Sequence, residues 1–178
     1  MRVVFIGTGD LAIPSFRWLL GAPGIETVAL ITQPDKPVGR HQTEMQSPAI
    51  KKLALERGVR VLQPVKMRAP EAVGEVQALG ADLIVVMAYG QILPKGVLDA
   101  AKVACLNLHA SLLPRWRGAA PIQAAIEAGD EKTGITTMRS APSACTSATD
   151  SAARIFTGCN TRTPRSIARR LITGACNS

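Results

Sequence analysis

Aromatic residues are scarce: three Phe, two Trp and one Tyr make up 3% of 178 residues, so the core must be aliphatic, drawn from Val, Leu, Ile and Ala. No apolar run approaches the roughly 20 residues needed to cross a bilayer, which leaves no candidate membrane-spanning helix. A small-residue cleavage site is also missing after the N-terminal apolar stretch. Met1-Arg2 leads straight into Val3-Val4-Phe5-Ile6, which reads as a buried strand and not as a secretory leader. A cytoplasmic protein without membrane partners is the expectation. Cysteines are few, and the spacing of Cys105, Cys145, Cys159 and Cys176 fits no zinc pattern. A disulfide framework is not expected in a cytosolic chain. The hydrophobic fraction of 47% suffices for a core, and the length allows one ordinary domain and a remainder.

Lys, Glu and Val are absent from residues 139–178, where Ala, Ser and Thr supply 19 of 40 positions. The net charge is divided unevenly: residues 1–138 carry +3 of the total +8, and this short remainder carries +5. Overall basicity is therefore a poor argument for nucleic-acid binding by the patterned part. The remainder shows no sustained period of 2 or 3.6. Two readings stand: a flexible Ser/Thr-rich tail, or translation of a GC-rich gene in the wrong frame, the preferred one. Neither predicts a packed second domain. The boundaries are thus 1–138 for an incomplete catalytic domain and 139–178 for an aberrant tail.

Upstream of Met138, apolar runs alternate with amphipathic stretches. Strands are expected at Val3–Ile6, Val28–Thr32, Val59–Leu62, Leu83–Met87, Val103–Leu108 and Gly134–Met138. Helices are expected from Pro14 to Leu20, from Pro48 to Arg57 with Ser47 as N-cap, from Pro70 to Leu79 and from Pro121 to Ala128. Residues 33–48 (QPDKPVGRHQTEMQSP) read as a long loop without apolar period. Continuous apolar strands alternating with helices imply an α/β fold, a doubly wound and mostly parallel Rossmann-like sheet covered on both faces. Ligands of such sheets lie beyond the carboxyl ends of the strands. The informative segments are then Gly7–Asp10, Gln33–Pro48, Tyr89–Pro94 and His109–Gly118.

Gly7-Thr8-Gly9-Asp10-Leu11-Ala12 loosely fits a dinucleotide fingerprint, since glycines permit a tight turn and helix-start N–H groups attract anions. The acidic ribose partner expected at the end of the second strand is missing, and Thr32-Gln33 stand there instead. A turn that merely reverses the chain explains the glycines equally. Asn107-Leu108-His109 ends a strand, and alternate strand residues share a face. An Asn carboxamide can donate to a developing oxyanion, and a His can take the proton of an attacking amine. The alternative is a satisfied polar residue at a strand end. The following Ser111–Ile122 segment combines an apolar loop, a proline and a glycine turn before a Pro-started helix. It suits the covering of a flat heterocycle, or else an ordinary strand–helix connector with Trp116 half buried.

NLHASLLPRWRGAAPIQAAI resembles the signature of the methionyl-tRNA formyltransferases, within the wider family that uses 10-formyltetrahydrofolate. VVFIGTGDLAIPSFRWLL, TQPDKPVGR, SPAIK, DLIVVMAYGQILPKGVLD and GDEKTGITTM agree in order, so the resemblance covers Met1 to Met138. It implies the formyltransferase fold and transfer of a formyl group from 10-formyltetrahydrofolate to the α-amino group of methionine on initiator tRNA. Asn107 would stabilise the oxyanion, and His109 would mediate proton transfer. Ser111, Leu112, Leu113 and Pro114 would line the folate pocket, with Tyr89, Gly90, Ile92 and Leu93 on its other wall. Arg40 and Lys36, in the loop 33–48, would approach the acceptor stem by phosphate contacts. No metal is implied, because this chemistry requires no Lewis acid, and a monomer is expected.

Two departures from the family pattern matter. His41-Gln-Thr-Glu44-Met stands where relatives carry a basic run after the Gly-Arg, which weakens the tRNA implication. The family's third catalytic residue, an aspartate in a Leu-Asp-x-Gly-Asp segment, has no counterpart, and the role is not transferred to Asp150. A truncated chain of impaired activity is the resulting expectation. A UDP-amino-sugar formyltransferase and a non-catalytic module binding folate or a nucleotide remain the alternatives.

Overall fold

The computed structural model describes residues 1–38 and 44–140. The expectation for Arg40 and most of that for the 139–178 tail lie outside the described residues. Among the described residues, eight strands and five α-helices follow one another in chain order, with a 3-10 turn at Asp10–Ala12 before the first helix. They are β1 (Arg2–Gly7), α1 (Ile13–Gly21), β2 (Glu26–Ile31), β3 (Lys36–Val38), β4 (Glu44–Gln46), α2 (Ala49–Glu56) and β5 (Arg60–Leu62). Then come α3 (Pro70–Ala78), β6 (Leu83–Met87), α4 (Lys95–Leu98), β7 (Ala104–His109), α5 (Pro121–Glu127) and β8 (Thr136–Ser140).

Six strands form one sheet in the order β5-β2-β1-β6-β7-β8. All its pairs are parallel except β7 with β8. The chain winds outward from β1 to β5, returns to β6 on the other side of β1, and continues to β7 and β8. The expected α/β fold is thus realised. Strand alternation divides the core into two. Val3, Phe5, Leu30, Val85 and Leu106 face α1 and α2, through Phe16, Leu19, Ile50 and Ala54. Val4, Ile6, Ile31, Ile84 and Cys105 face α3 and α4, through Val76, Leu79 and Val97. Burial on both faces is the physical reason that these strands read as unbroken apolar runs.

Four features differ from the sequence reading. The expected loop 33–48 contains an antiparallel hairpin, with Lys36 opposite Gln46 and Val38 opposite Glu44. Neither strand buries a residue, so no alternation announces it. Pro48, in extended conformation, takes the cap position of α2, and Ser47 makes no capping bond. The four-residue α4 is too short to show a period. The last strand runs antiparallel and continues to Ser140.

Candidate active site

Asn107 and His109 alternate along β7 with Cys105, which packs among the residues facing α3 and α4. Asn107 lies between Val86 of β6 and Met138 of β8, and His109 lies opposite Thr136. Both are half-buried, at the carboxyl end of the strand. The His109 Nε2 is 3.0 Å from the carbonyl oxygen of Trp116. A carbonyl can only accept, so the ring hydrogen sits on Nε2, and the neutral ring keeps its lone pair on Nδ1.

The loop after β7 is built by polar bonds to its own backbone. Ser111, fully buried, donates its amide to the His109 carbonyl at 2.9 Å and its hydroxyl to the Arg115 carbonyl at 2.9 Å. Thr136 bridges from β8: its hydroxyl donates to the Ser111 carbonyl at 2.6 Å and accepts the Leu113 amide at 3.1 Å. Leu112 remains 53% exposed and leans over Gly134, where an added Cβ would meet Leu112 Cδ2 at 2.7 Å. Pro114 is exposed and follows a cis peptide bond. Trp116 stands at φ 57°, its indole N–H donating to Asp130, while Arg115 pairs with the other Asp130 oxygen at 3.0 Å. The Arg115 guanidinium lies 4.9 Å from the Trp116 ring centroid.

The segment after β6 splits by depth. The Tyr89 ring is buried in the core, its hydroxyl has no partner among the described residues, and burial pushes that hydroxyl up to about 12. Its carbonyl faces the polar strand ends and accepts the Gln33 side-chain amide at 3.0 Å. Gly90 adopts φ +84°, Leu93 packs against the core and Ile92 is 81% exposed. Of the eight residues expected around a folate, Ile92, Leu112 and Pro114 therefore present exposed apolar side chains.

The turn after β1 is occupied by protein contacts. The Thr8 and Gly9 amides both point at the Ala88 carbonyl, each at 3.3 Å. The Thr8 hydroxyl accepts the Gln33 amide at 3.0 Å and the Thr32 hydroxyl at 3.2 Å. A Cβ on Gly7 would lie 2.6 Å from the Met87 carbonyl oxygen, so close strand packing accounts for that glycine. Amides engaged in this way are poorly placed to cradle a pyrophosphate.

Beyond β2, Gln33, Asp35, Lys51, Gln63 and Gln91 form a network that the sequence reading missed. Gln63 bonds the Gln33 carbonyl and the Asp35 carboxylate, both at 2.8 Å, and Lys51 pairs with Asp35 at 2.7 Å. Gln91 joins Gln33 at 3.3 Å and receives the Met67 amide at 2.8 Å. The Gln63 bond first, and Lys51 next, lower the Asp35 carboxyl to about 2. The only sequence signal was the appearance of Gln63 directly after β5 and of Gln33 with one residue between it and the end of β2. A cleft of about 680 Å³ opens between the β1 turn and the hairpin, with Thr8, Asp10, Lys36, Met45 and Lys52 on its walls. The cleft bearing Lys36 borders the turn after β1, and β1 lies two strand spacings, about 10 Å, from the strand that carries Asn107. Among the described residues, no group of three or more His, Cys, Asp or Glu side chains could hold a metal ion, and no helix is long and apolar enough to cross a membrane.

Comparison with known proteins agrees with this architecture. The chain is 57% identical over 138 residues to a methionyl-tRNA formyltransferase of Akkermansia muciniphila, covering 78% of this chain and 43% of that protein. It is 52% identical over 139 residues to one of Hydrogenovibrio crunogenus, again 78% of this chain and 44% of the relative. The chain therefore spans less than half the length of these curated relatives. Among solved structures, a phosphoribosylglycinamide formyltransferase from Anaplasma phagocytophilum superposes with TM-score 0.65 at 18% identity, over 98% of this chain and 81% of the other. A sugar N-formyltransferase from a Shewanella species gives 0.53 at 17%, over 79% and 51% respectively. These distant likenesses establish the fold. A family model described as formyl transferase matches residues 1–141, and the chain belongs to that family.

Proposed function

We propose that this chain carries the donor site and two of the three catalytic residues of a methionyl-tRNA formyltransferase, which moves a formyl group from 10-formyltetrahydrofolate to the α-amino group of methionyl initiator tRNA for translation initiation. The observation that carries the proposal is the placing of Asn107 and His109 on one face at the end of β7. Their sequence surroundings are more than half identical to proteins of that name.

The residues suit each part of the reaction. Ile92 and Leu112, exposed on the loops after β6 and β7, offer apolar cover to a flat folate ring. Gly90, Leu93, Ser111, Leu113 and Pro114 shape the two loops, and Tyr89 contributes its backbone. The Asn107 carboxamide would donate a hydrogen bond to the formyl oxygen as that oxygen gains charge. His109, with Nε2–H held by the Trp116 carbonyl, would accept the proton of the attacking amine at Nδ1. Lys36, on β3, and Arg40 would meet the tRNA phosphates, and the cleft beside Lys36 would admit the acceptor end. The missing Leu-Asp-x-Gly-Asp acid would otherwise favour the charged histidine. Without it, impaired activity is expected of this polypeptide.

Formation of formylmethionyl-tRNA under single-turnover conditions tests the proposal. Slow product formation is expected. Asn107→Ala should lower it by about 100-fold or more, as for loss of one oxyanion donor. His109→Ala should abolish what remains. Formylation of a UDP-amino-sugar in preference to the tRNA would instead assign the chain to sugar formyl transfer.

A further inference from the structure

Asp130 lies outside the residues that the formyltransferase reading assigns, yet two hydrogen bonds, both made by Trp116, connect it to His109. One carboxylate oxygen accepts the Trp116 indole N–H, and the other pairs with Arg115 at 3.0 Å. The side chain of Asp130 is only 15% exposed, although Arg115 is largely in solvent. Trp116 stands in the left-handed region at φ 57°, which a bulky residue adopts only when its surroundings hold it there. In that conformation its carbonyl oxygen lies 3.0 Å from His109 Nε2.

We infer that Asp130 is a positioning residue: by anchoring the Trp116 indole it holds the Trp116 carbonyl on His109 Nε2 and so selects the tautomer with its lone pair on Nδ1. The inference rests on the reading of His109 as the proton acceptor. It supplies a means of setting the orientation of the imidazole within residues 109–130. The indole bond matters more than the Arg115 pair, because the exposed guanidinium is screened by solvent. Asp130 itself touches no reacting atom. Its effect passes through one side chain and one carbonyl group.

The test reads the tautomer directly. Nitrogen-15 spectra of the imidazole ring, recorded in its neutral state in the full chain, separate Nε2–H from Nδ1–H forms. His41→Gln leaves His109 as the single histidine signal. The unaltered Asp130 protein should show predominantly Nε2–H. Asp130→Ala should shift the ring nitrogens toward the averaged values of an unrestrained imidazole. Trp116→Phe should do the same with Asp130 still present. Asp130→Asn, which retains an oxygen for the indole, should keep the Nε2–H pattern. Dispersed amide spectra identify the variants that remain folded, and Trp116→Phe and Asp130→Asn serve if the alanine variant does not. An unchanged tautomer in Trp116→Phe, or loss of the pattern in Asp130→Asn, would overturn the inference. No substrate is present in these measurements, so failure of folate binding would overturn the functional proposal and leave this one standing.

Discussion

At the scale of single residues, chemistry and packing divide along the same short segments. Tyr89 shows the division most clearly. Its ring belongs to the core and its hydroxyl is buried without a partner among the described residues, while its carbonyl serves the strand-end network. A buried unsatisfied hydroxyl is destabilising, and its removal with little change of shape relieves that penalty. Tyr89→Phe should raise stability by about 1 kcal/mol in urea unfolding, with formyl-folate affinity unchanged. A loss of affinity would mean that the hydroxyl reaches the ligand. Asn107 and His109 were legible because period-2 alternation puts residues two apart on one face, and a strand end is where such sheets bind ligands. Asp130 and Thr136 were not. Their significance lies in bonds to residues 14 to 25 positions away in the chain, which no local pattern records.

At the scale of elements, two polar clamps fix the segments on which the proposed chemistry depends. Thr136 ties β8 to the Ser111–Leu113 loop through two hydrogen bonds. Thr136→Val keeps the shape and removes both bonds. It should destabilise the chain by about 1–3 kcal/mol, the range for leaving buried partners unsatisfied, and weaken folate binding; denaturant unfolding and calorimetry check the two effects. Asp35 does the same for the hairpin, through Gln63 and Lys51. Its carboxyl is lowered from 3.8 to about 2, so the native state binds fewer protons than the unfolded chain between those values. The contribution of Asp35 is therefore complete above about pH 4 and is lost as pH falls toward 2. Unfolding measured across this window should show a steeper acid decline than in Asp35→Asn. Equal slopes would show that the clamp contributes nothing. The hairpin itself was hidden in the sequence because its six strand residues are exposed or half-exposed and include Pro37. The antiparallel sense of β8 was hidden as well, since the period-2 pattern of a strand reads alike in both directions.

At the scale of the whole molecule, the sheet reverses its winding between β1 and β6, the place where open α/β sheets ordinarily receive a ligand. Here that crevice is closed by protein: Thr8 and Gly9 bond to Ala88, and Gln33 bonds to Tyr89. The cleft by the hairpin opens to one side, and exposed Ile92 and Leu112 mark the loops after β6 and β7 on the other. These contacts favour the proposed formyl-folate site beside Asn107 over a nucleotide site at the glycine turn, a choice that the Gly7–Ala12 motif alone left open. Calorimetric titration of the chain with 5-formyltetrahydrofolate, NAD and ATP measures that distinction directly. Binding of the folate, weakened by a polar replacement at Leu112, with no measurable binding of either nucleotide, is the predicted result; binding of NAD or ATP in preference to the folate would contradict it.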